Sequence, residues 1–300
     1  MKLFLLAFFI FLFQFNCSAQ KSPVQYLGQT PPMLTPEIFA PGVISTKESE
    51  FGLAISPDGK EFYFCRSLSA SVIAIQVVKY ENGEWTEAVT LPFSGNDFDM
   101  DPCLSCDGNK LFFGSTRFNG KHNVSGCDIW ISDRDERNNW SEPYLIDSKI
   151  NTSGNESSPC LSAGGTLYFH SKKHKGNGGI DIFKSELVNG EYGKPENLGD
   201  AVNSSYNDFD AFIPQDESYI IFCSERRKGS YGNGDLYISF RNDDGTWTDA
   251  VNMGREINSK AIDYSPVVSP DGKFLFFSSY RNNTGSIYWV DAKIIEELRP

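Results

Sequence analysis

The chain has 300 residues, 40% hydrophobic and 14% aromatic, with a formal charge of −12. That acidic balance repels phosphate backbones and no basic stripe breaks it, since the densest run, Lys172-Lys173-His174-Lys175, is local; nucleic acid is therefore excluded as a partner. The aromatic content and 26 glycines suit many short strands joined by tight turns.

Residues 1–19 read as a signal peptide. Lys2 supplies the positive start, residues 3–13 are uninterruptedly apolar, and Cys17-Ser18-Ala19 offers small residues before a cut at Gln20. The apolar run is too short to span a bilayer. Lipidation of Cys17 is not expected, because Gln14-Phe15-Asn16 lacks the aliphatic and small residues that precede a lipoprotein cysteine. No comparable run recurs, so the mature chain is read as exported, monomeric and without a transmembrane segment. Residues 20–35, with Pro23, Pro31 and Pro32, read as a linker, 36–292 as one domain and 293–300 as a short tail.

Within that domain one phrase returns five times: an apolar strand, a tight turn, and a second strand ending on an aromatic residue. The turns are Ser56-Pro57-Asp58-Gly59, Ser105-Cys106-Asp107-Gly108, Ala163-Gly164-Gly165, Gln215-Asp216-Glu217 and Ser269-Pro270-Asp271-Gly272. The closing Phe64, Phe113, Phe169, Phe222 and Phe277 lie 49, 56, 53 and 55 residues apart. A period near fifty built of strands predicts blades of a propeller, each stable only when stacked in a ring. Third strands are expected at 72–78, 128–132, 181–185, 235–239 and 286–290, and outer strands at 85–91, 140–146, 192–198 and 247–253. The fifth outer strand is found at the other end of the chain, in Pro36-Glu37-Ile38-Phe39. The Ile44-Ser45-Thr46 that follows matches Ile150-Asn151-Thr152 and Ile257-Asn258-Ser259. The prediction is an all-β, five-bladed propeller of four-stranded blades, closed by an amino-terminal strand that completes the last blade.

The phrase Ser269-Pro270-Asp271-Gly272-Lys273-Phe274-Leu275-Phe276-Phe277 resembles the TolB-type, WD-like repeat of bacterial envelope proteins. The resemblance implies a non-catalytic propeller that binds protein, in the periplasm or at the outer membrane. TolB itself has six blades and an extra amino-terminal domain. Six blades is thus the alternative count, against the five visible here.

Two columns emerge when the five units are aligned. Glu50, Asp99, Glu156, Asp208 and Asp263 share one position, and Arg117, Lys173, Arg226 and Arg281 share another just past the second strand, where the first unit has Leu68. A hairpin brings both columns to one end of the blade, which predicts a repeated ion pair or loop clamp. A second reading makes the acids a ring around a mouth of the axial channel, able to hold Ca²⁺ or attract a cation. A glycosidase pair would need two carboxyls in different environments, and its residues should break the repeat rather than belong to it. No catalytic residue and no cofactor is therefore assigned. His122, His170, His174 and Cys223 show no recognised ligand spacing, so no metal is assigned either. The six cysteines beyond Cys17 occur singly. Cys103 and Cys160 stand at equivalent places on neighbouring inner strands, and free thiols are expected.

Recognition is left to the loops between second and third strands, at 117–126, 172–179 and 226–234, all on the face shared by the acids. Phe118, His122, His174 and Tyr231 are the candidate contacts. The functional expectation is a binding or scaffold propeller that holds an envelope protein on that face. The alternative is a carbohydrate-active enzyme or lectin working at the channel mouth.

Overall fold

The computed structural model describes residues 26–120, 126–146 and 149–300. The expected signal peptide, Cys17 and His122 lie outside the described residues. Five antiparallel sheets follow one another along the chain, the first of five strands and the others of four, with a two-stranded hairpin of Leu187–Val188 and Glu191–Tyr192 beside the third. Their inner strands are Glu50–Ile55, Asp99–Leu104, Glu156–Leu161, Asp208–Phe212 and Asp263–Val268, each packed against the next and the fifth against the first. This is a closed five-bladed β-propeller.

Closure comes from strand exchange. Glu37–Ile38 pairs antiparallel with Ser286–Asp291, with Glu37 opposite Trp289 and Ile38 opposite Tyr288, as the outer strand of the fifth blade. The Phe39 amide extends the ladder to the Ile287 carbonyl at 2.8 Å. Both ends of the described residues are tied down around this blade. Tyr26 is buried against Phe274 and Trp289 and its hydroxyl donates to Asp271, while a short helix, Lys293–Glu297, buries Ile294 and Ile295.

Second and third strands such as Phe274–Ser279 and Ser286–Asp291 are buried along nearly their whole length, because neighbouring blades cover both faces. They therefore read as continuous apolar runs rather than as alternation. Five hydrophobic clusters fill the five seams. One joins Tyr63 and Val77 of blade one to Phe113 and Trp130 of blade two, and the cluster of the closing seam joins Phe276 and Trp289 to Phe62 and to Phe39 of the exchanged strand.

The turns follow the expected chemistry. Ser56 and Ser269 hydroxyls donate to Asp58 and Asp271, whose carboxylates accept the amides of Lys60 and Lys273. Gly59, Gly108 and Gly272 take the left-handed φ of 72°, 72° and 74°. The outer strands are shorter than expected. The outer ladders run over Val89–Thr90, Tyr144–Leu145, Glu196–Asn197 and Val251–Asn252, while Trp85 and Tyr192 pair in separate short hairpins and Trp140 and Trp247 in single bridges; Pro143 and Pro195, which have no N–H, stand just before two of the ladders. No helix among the described residues is long and apolar enough to cross a membrane.

Candidate functional site

The acidic column is a set of buried clamps, none more than 1% exposed. Each inner strand begins on its acid, and the chain arriving from the preceding outer strand donates to it. Thr46, Thr152, Ser204 and Ser259 give both backbone N–H and hydroxyl to Glu50, Glu156, Asp208 and Asp263, and the Ser94 hydroxyl donates to Asp99. The second strand adds Ser115 to Asp99 and Ser171 to Glu156, both at 2.6 Å. Their oxygens are taken by these bonds or by an arginine, except Asp208 Oδ1, which has no hydrogen-bond partner and faces Arg227 at 3.8 Å, and five acids each engaged within its own blade do not fit a Ca²⁺ site. Among the described residues no group of three His, Cys, Asp or Glu is placed to hold a metal.

The cationic column differs from its sequence alignment in three blades. Arg117 and Arg281 pair with Asp99 and Asp263 at 2.7 and 2.8 Å, lie over Phe113 and Phe277, and donate to the carbonyls of Phe93 and Ile257. In blade four this role belongs to Arg227, which reaches Asp208 at 3.8 Å, lies over Phe222 and Tyr237 and donates to Val202; Arg226 is exposed, with a left-handed φ of 58°. In blade one Arg66, directly opposite Glu50 in the ladder, pairs with it at 2.8 Å in place of any residue at Leu68. In blade three His174 stands in for the arginine, with Nε2 3.0 Å from the Ile150 carbonyl and its ring against Phe169 and Phe183. Lys173 instead lays its stem over Gly154, where a Cβ would meet Lys173 Cγ at 2.4 Å. His174 is thus a wedge inside its own blade, whereas Phe118 is 70% exposed and Tyr231 is exposed with Arg255 over its ring at 4.9 Å.

The residues that face the axis lie one and two places beyond the acids. Gly52, Asp101, Ser158, Asp210 and Ser265 all take a left-handed φ of 45–60°, at a register shift present in every inner strand. Such a bulge re-aims side chains, here into the channel. A Cβ on Gly52 would sit 3.3 Å from the Asp101 carboxylate, so the glycine leaves room for the acid. Asp101 and Asp210 meet across the axis. Ser158 Oγ lies 2.8 Å from Asp101 Oδ2 and 2.6 Å from Asp210 Oδ1, while Ser157 donates to Asp101 and Ser265 to Asp210.

One hydroxyl proton cannot serve two carboxylates at once, so the Ser158 bridge favours a proton shared by the pair over two full charges. Burial, and then the charge of Asp210, push the Asp101 carboxyl up to about 6; burial raises Asp210 as well. His170 stands beside them, with Nδ1 3.7 Å from Asp210 Oδ1, and burial holds its imidazole down at about 4. The network divides the channel. A cavity of about 620 Å³ runs from it to the Ser-Pro-Asp-Gly turns, and another of about 570 Å³ opens past Phe51, His170, Phe209 and Tyr264 on the loop face.

Sequence alignment missed Asp101 and Asp210, although a signal was present. In a column otherwise filled by Gly52, Ser158 and Ser265, two aspartates break the repeat.

A closed ring of five blades with a carboxyl pair across its axis defines the molecule as a propeller with a polar channel, and its fold is TolB-like. TolB from Agrobacterium tumefaciens superposes with a TM-score of 0.52 at 16% identity, over 81% of this chain and 77% of that one. TolB from Acinetobacter baumannii gives 0.49 at 15% identity, and the present chain spans 55% of its length. A glycoside hydrolase gives 0.59 at 9% identity, over 89% of this chain and 93% of that one. At such identities the likeness is one of fold. No family model and no curated protein matches the sequence.

Proposed function

We propose that this chain is a non-catalytic binding propeller of the bacterial cell envelope, exported by its signal peptide, which holds a protein partner on its loop face. The observation that carries this reading is a set of exposed apolar and aromatic side chains in the segments at that end of the blades: Leu68, Phe118, Tyr206, Tyr231 and Tyr280 come from four different blades. Exposed aromatic side chains on a rigid ring are the usual anchors of a protein interface. The test is a photo-crosslinker placed at Phe118, Tyr206 or Tyr231 in living cells. Capture of one defined envelope protein, abolished by Tyr231→Asp at an unchanged melting temperature, is the expected result. Equal labelling of many proteins, unaffected by that substitution, would refute the reading.

A second reading rests on Asp101 and Asp210. Two carboxyls bridged by one hydroxyl, at 2.8 and 2.6 Å, front a cavity, and two closely spaced carboxyls are what a retaining glycosidase requires. Glycoside turnover by the parent protein that vanishes in Asp101→Asn and Asp210→Asn, with both variants folded, would favour this enzyme over the binding propeller.

A further inference from the structure

Asp101 and Asp210 differ from the clamp acids in having no fixed cation. Glu50, Asp99, Asp208 and Asp263 each face an arginine. Among the described residues the basic group beside the channel carboxyls is His170, 3.7 Å from Asp210 Oδ1 and kept neutral by burial. Its Nδ1 is enclosed and has no hydrogen-bond partner. A buried carboxyl pair without a countercharge, next to an orphaned ring nitrogen, is costly to hold in a folded chain. A cation brought from outside would relieve both.

The walls of the cavity point the same way. The column directly after the clamp acids is Phe51, Met100, Ser157, Phe209 and Tyr264. All five line the loop-side cavity of about 570 Å³, together with Asp101, Asp210 and His170. The rings of Phe51 and Tyr264 have centroids 6.1 Å apart, and Phe209 meets the His170 ring edge-on at 6.1 Å. Aromatic rings above a carboxyl floor favour a cation twice, through the ring quadrupoles and through direct charge. Among the described residues no three His, Cys, Asp or Glu side chains are placed to hold a metal ion, so the cation that fits is organic.

We propose that this mouth of the channel binds a primary ammonium group, carried by a free aliphatic amine or by a lysine side chain, with its nitrogen at Asp101 and Asp210 and its carbon chain between Phe51, Phe209 and Tyr264. An ammonium has three N–H donors and no acceptor. Two of them serve the carboxyls in place of the shared proton, and the third is matched by His170 Nδ1, the acceptor left unused. Binding therefore releases a proton, because the Asp101 carboxyl, held up at about 6 without ligand, ionises against the cation. Cys65, Cys127, Cys223 and Tyr264, also turned toward the pair, are raised by burial and stay neutral, and Lys172 beyond His170 is exposed. The site is distinct from the exposed side chains of the proposed protein interface, so either can fail alone; only the lysine form of the ligand rests on that interface.

The experiment is isothermal titration of the folded full-length chain with n-butylammonium, n-butyltrimethylammonium and Nα-acetyl-lysine N-methylamide. n-Butylammonium should bind, and the trimethyl analogue, which keeps the charge but has no N–H, should bind at least about tenfold more weakly. Affinity for n-butylammonium should be about tenfold lower at pH 5 than at pH 7, as the protonated fraction of Asp101 goes from about one-tenth to about nine-tenths. Asp210→Asn should lose about tenfold or more, whereas Asp135→Asn, at an exposed acid, should bind like the parent. Binding of the lysine derivative as tight as that of n-butylammonium assigns the group to a lysine side chain, and its exclusion assigns a free amine. No binding of n-butylammonium, equal binding of the trimethyl analogue, or one affinity at both pH values would each overturn the proposal. These titrations use the parent chain, so a variant that fails to fold leaves the test intact.

Discussion

Asp101 and His170 oppose each other in their response to pH. The Asp101 carboxyl rises from an ordinary 3.8 to about 6 on folding, so the folded state binds its proton more tightly, and its contribution to stability is lost as pH rises through 6. His170 falls from 6.5 to about 4, so below 6.5 the unfolded chain takes up a proton that the folded chain refuses, and acidification destabilises. Between pH 4 and 6 the two largely offset each other. Asp101→Asn should therefore lose more melting temperature between pH 7 and pH 5 than the parent does, and His170→Gln should lose less or gain. Melting curves of the three proteins at both pH values check the signs; identical pH dependence in all three would show that neither group is held as described.

The clamps respond to single side chains in the same way. Arg281→Ala leaves Asp263 buried without its partner and should cost about 3–5 kcal/mol, whereas Arg226→Ala removes an exposed side chain and should fall within about 0.5 kcal/mol of the parent. Chemical denaturation of both variants reads the difference. Equal effects would return Arg226 to the role that alignment assigns it.

At the scale of the element, each blade is a hairpin set by its turn and pinned at its other end by its acid. The third strand is held by a further device. Asn151, Asn203 and Asn258 each accept the amide and donate to the carbonyl of Ile129, Ile182 and Leu236, and in the exchanged segment the Ser45 hydroxyl does the same for Ile287. This explains the repeated Ile-Asn-Ser/Thr phrase and its Ile44-Ser45-Thr46 counterpart. The turn itself depends on backbone freedom. Gly272 holds φ at 74° with open space around a would-be Cβ, so Gly272→Ala introduces strain without a clash and should cost about 1 kcal/mol. Denaturant titration measures this directly, and an unchanged midpoint would mean that the turn relaxes into another type.

Across the whole molecule, stability rests on ring closure. Phe39 is fully buried and packs on Phe62, Phe276 and Trp289, so one exchanged residue bridges the first and last blades. Phe39→Ala should cost about 3–5 kcal/mol, and removal of residues up to 46 should expose the edge of Ser286–Asp291 and promote association through it. Light scattering of the truncated chain tests the second outcome; a stable monomer would show that closure does not depend on the amino-terminal strand. The residues themselves determined the period, the number of blades, the turn chemistry and the exchanged strand, because these are local patterns repeated in register. Only the tertiary structure decided that Arg227, Arg66 and His174 fill the cationic position: Arg227 and His174 lie one residue past the aligned place in a loop, and Arg66 lies two residues before it, inside the second strand, and an alignment of strands shows neither shift. It also brought Asp101 to Asp210 through Ser158. That contact crosses the axis, and it depends on left-handed bulges that aspartate and serine adopt only where the surrounding ring holds them.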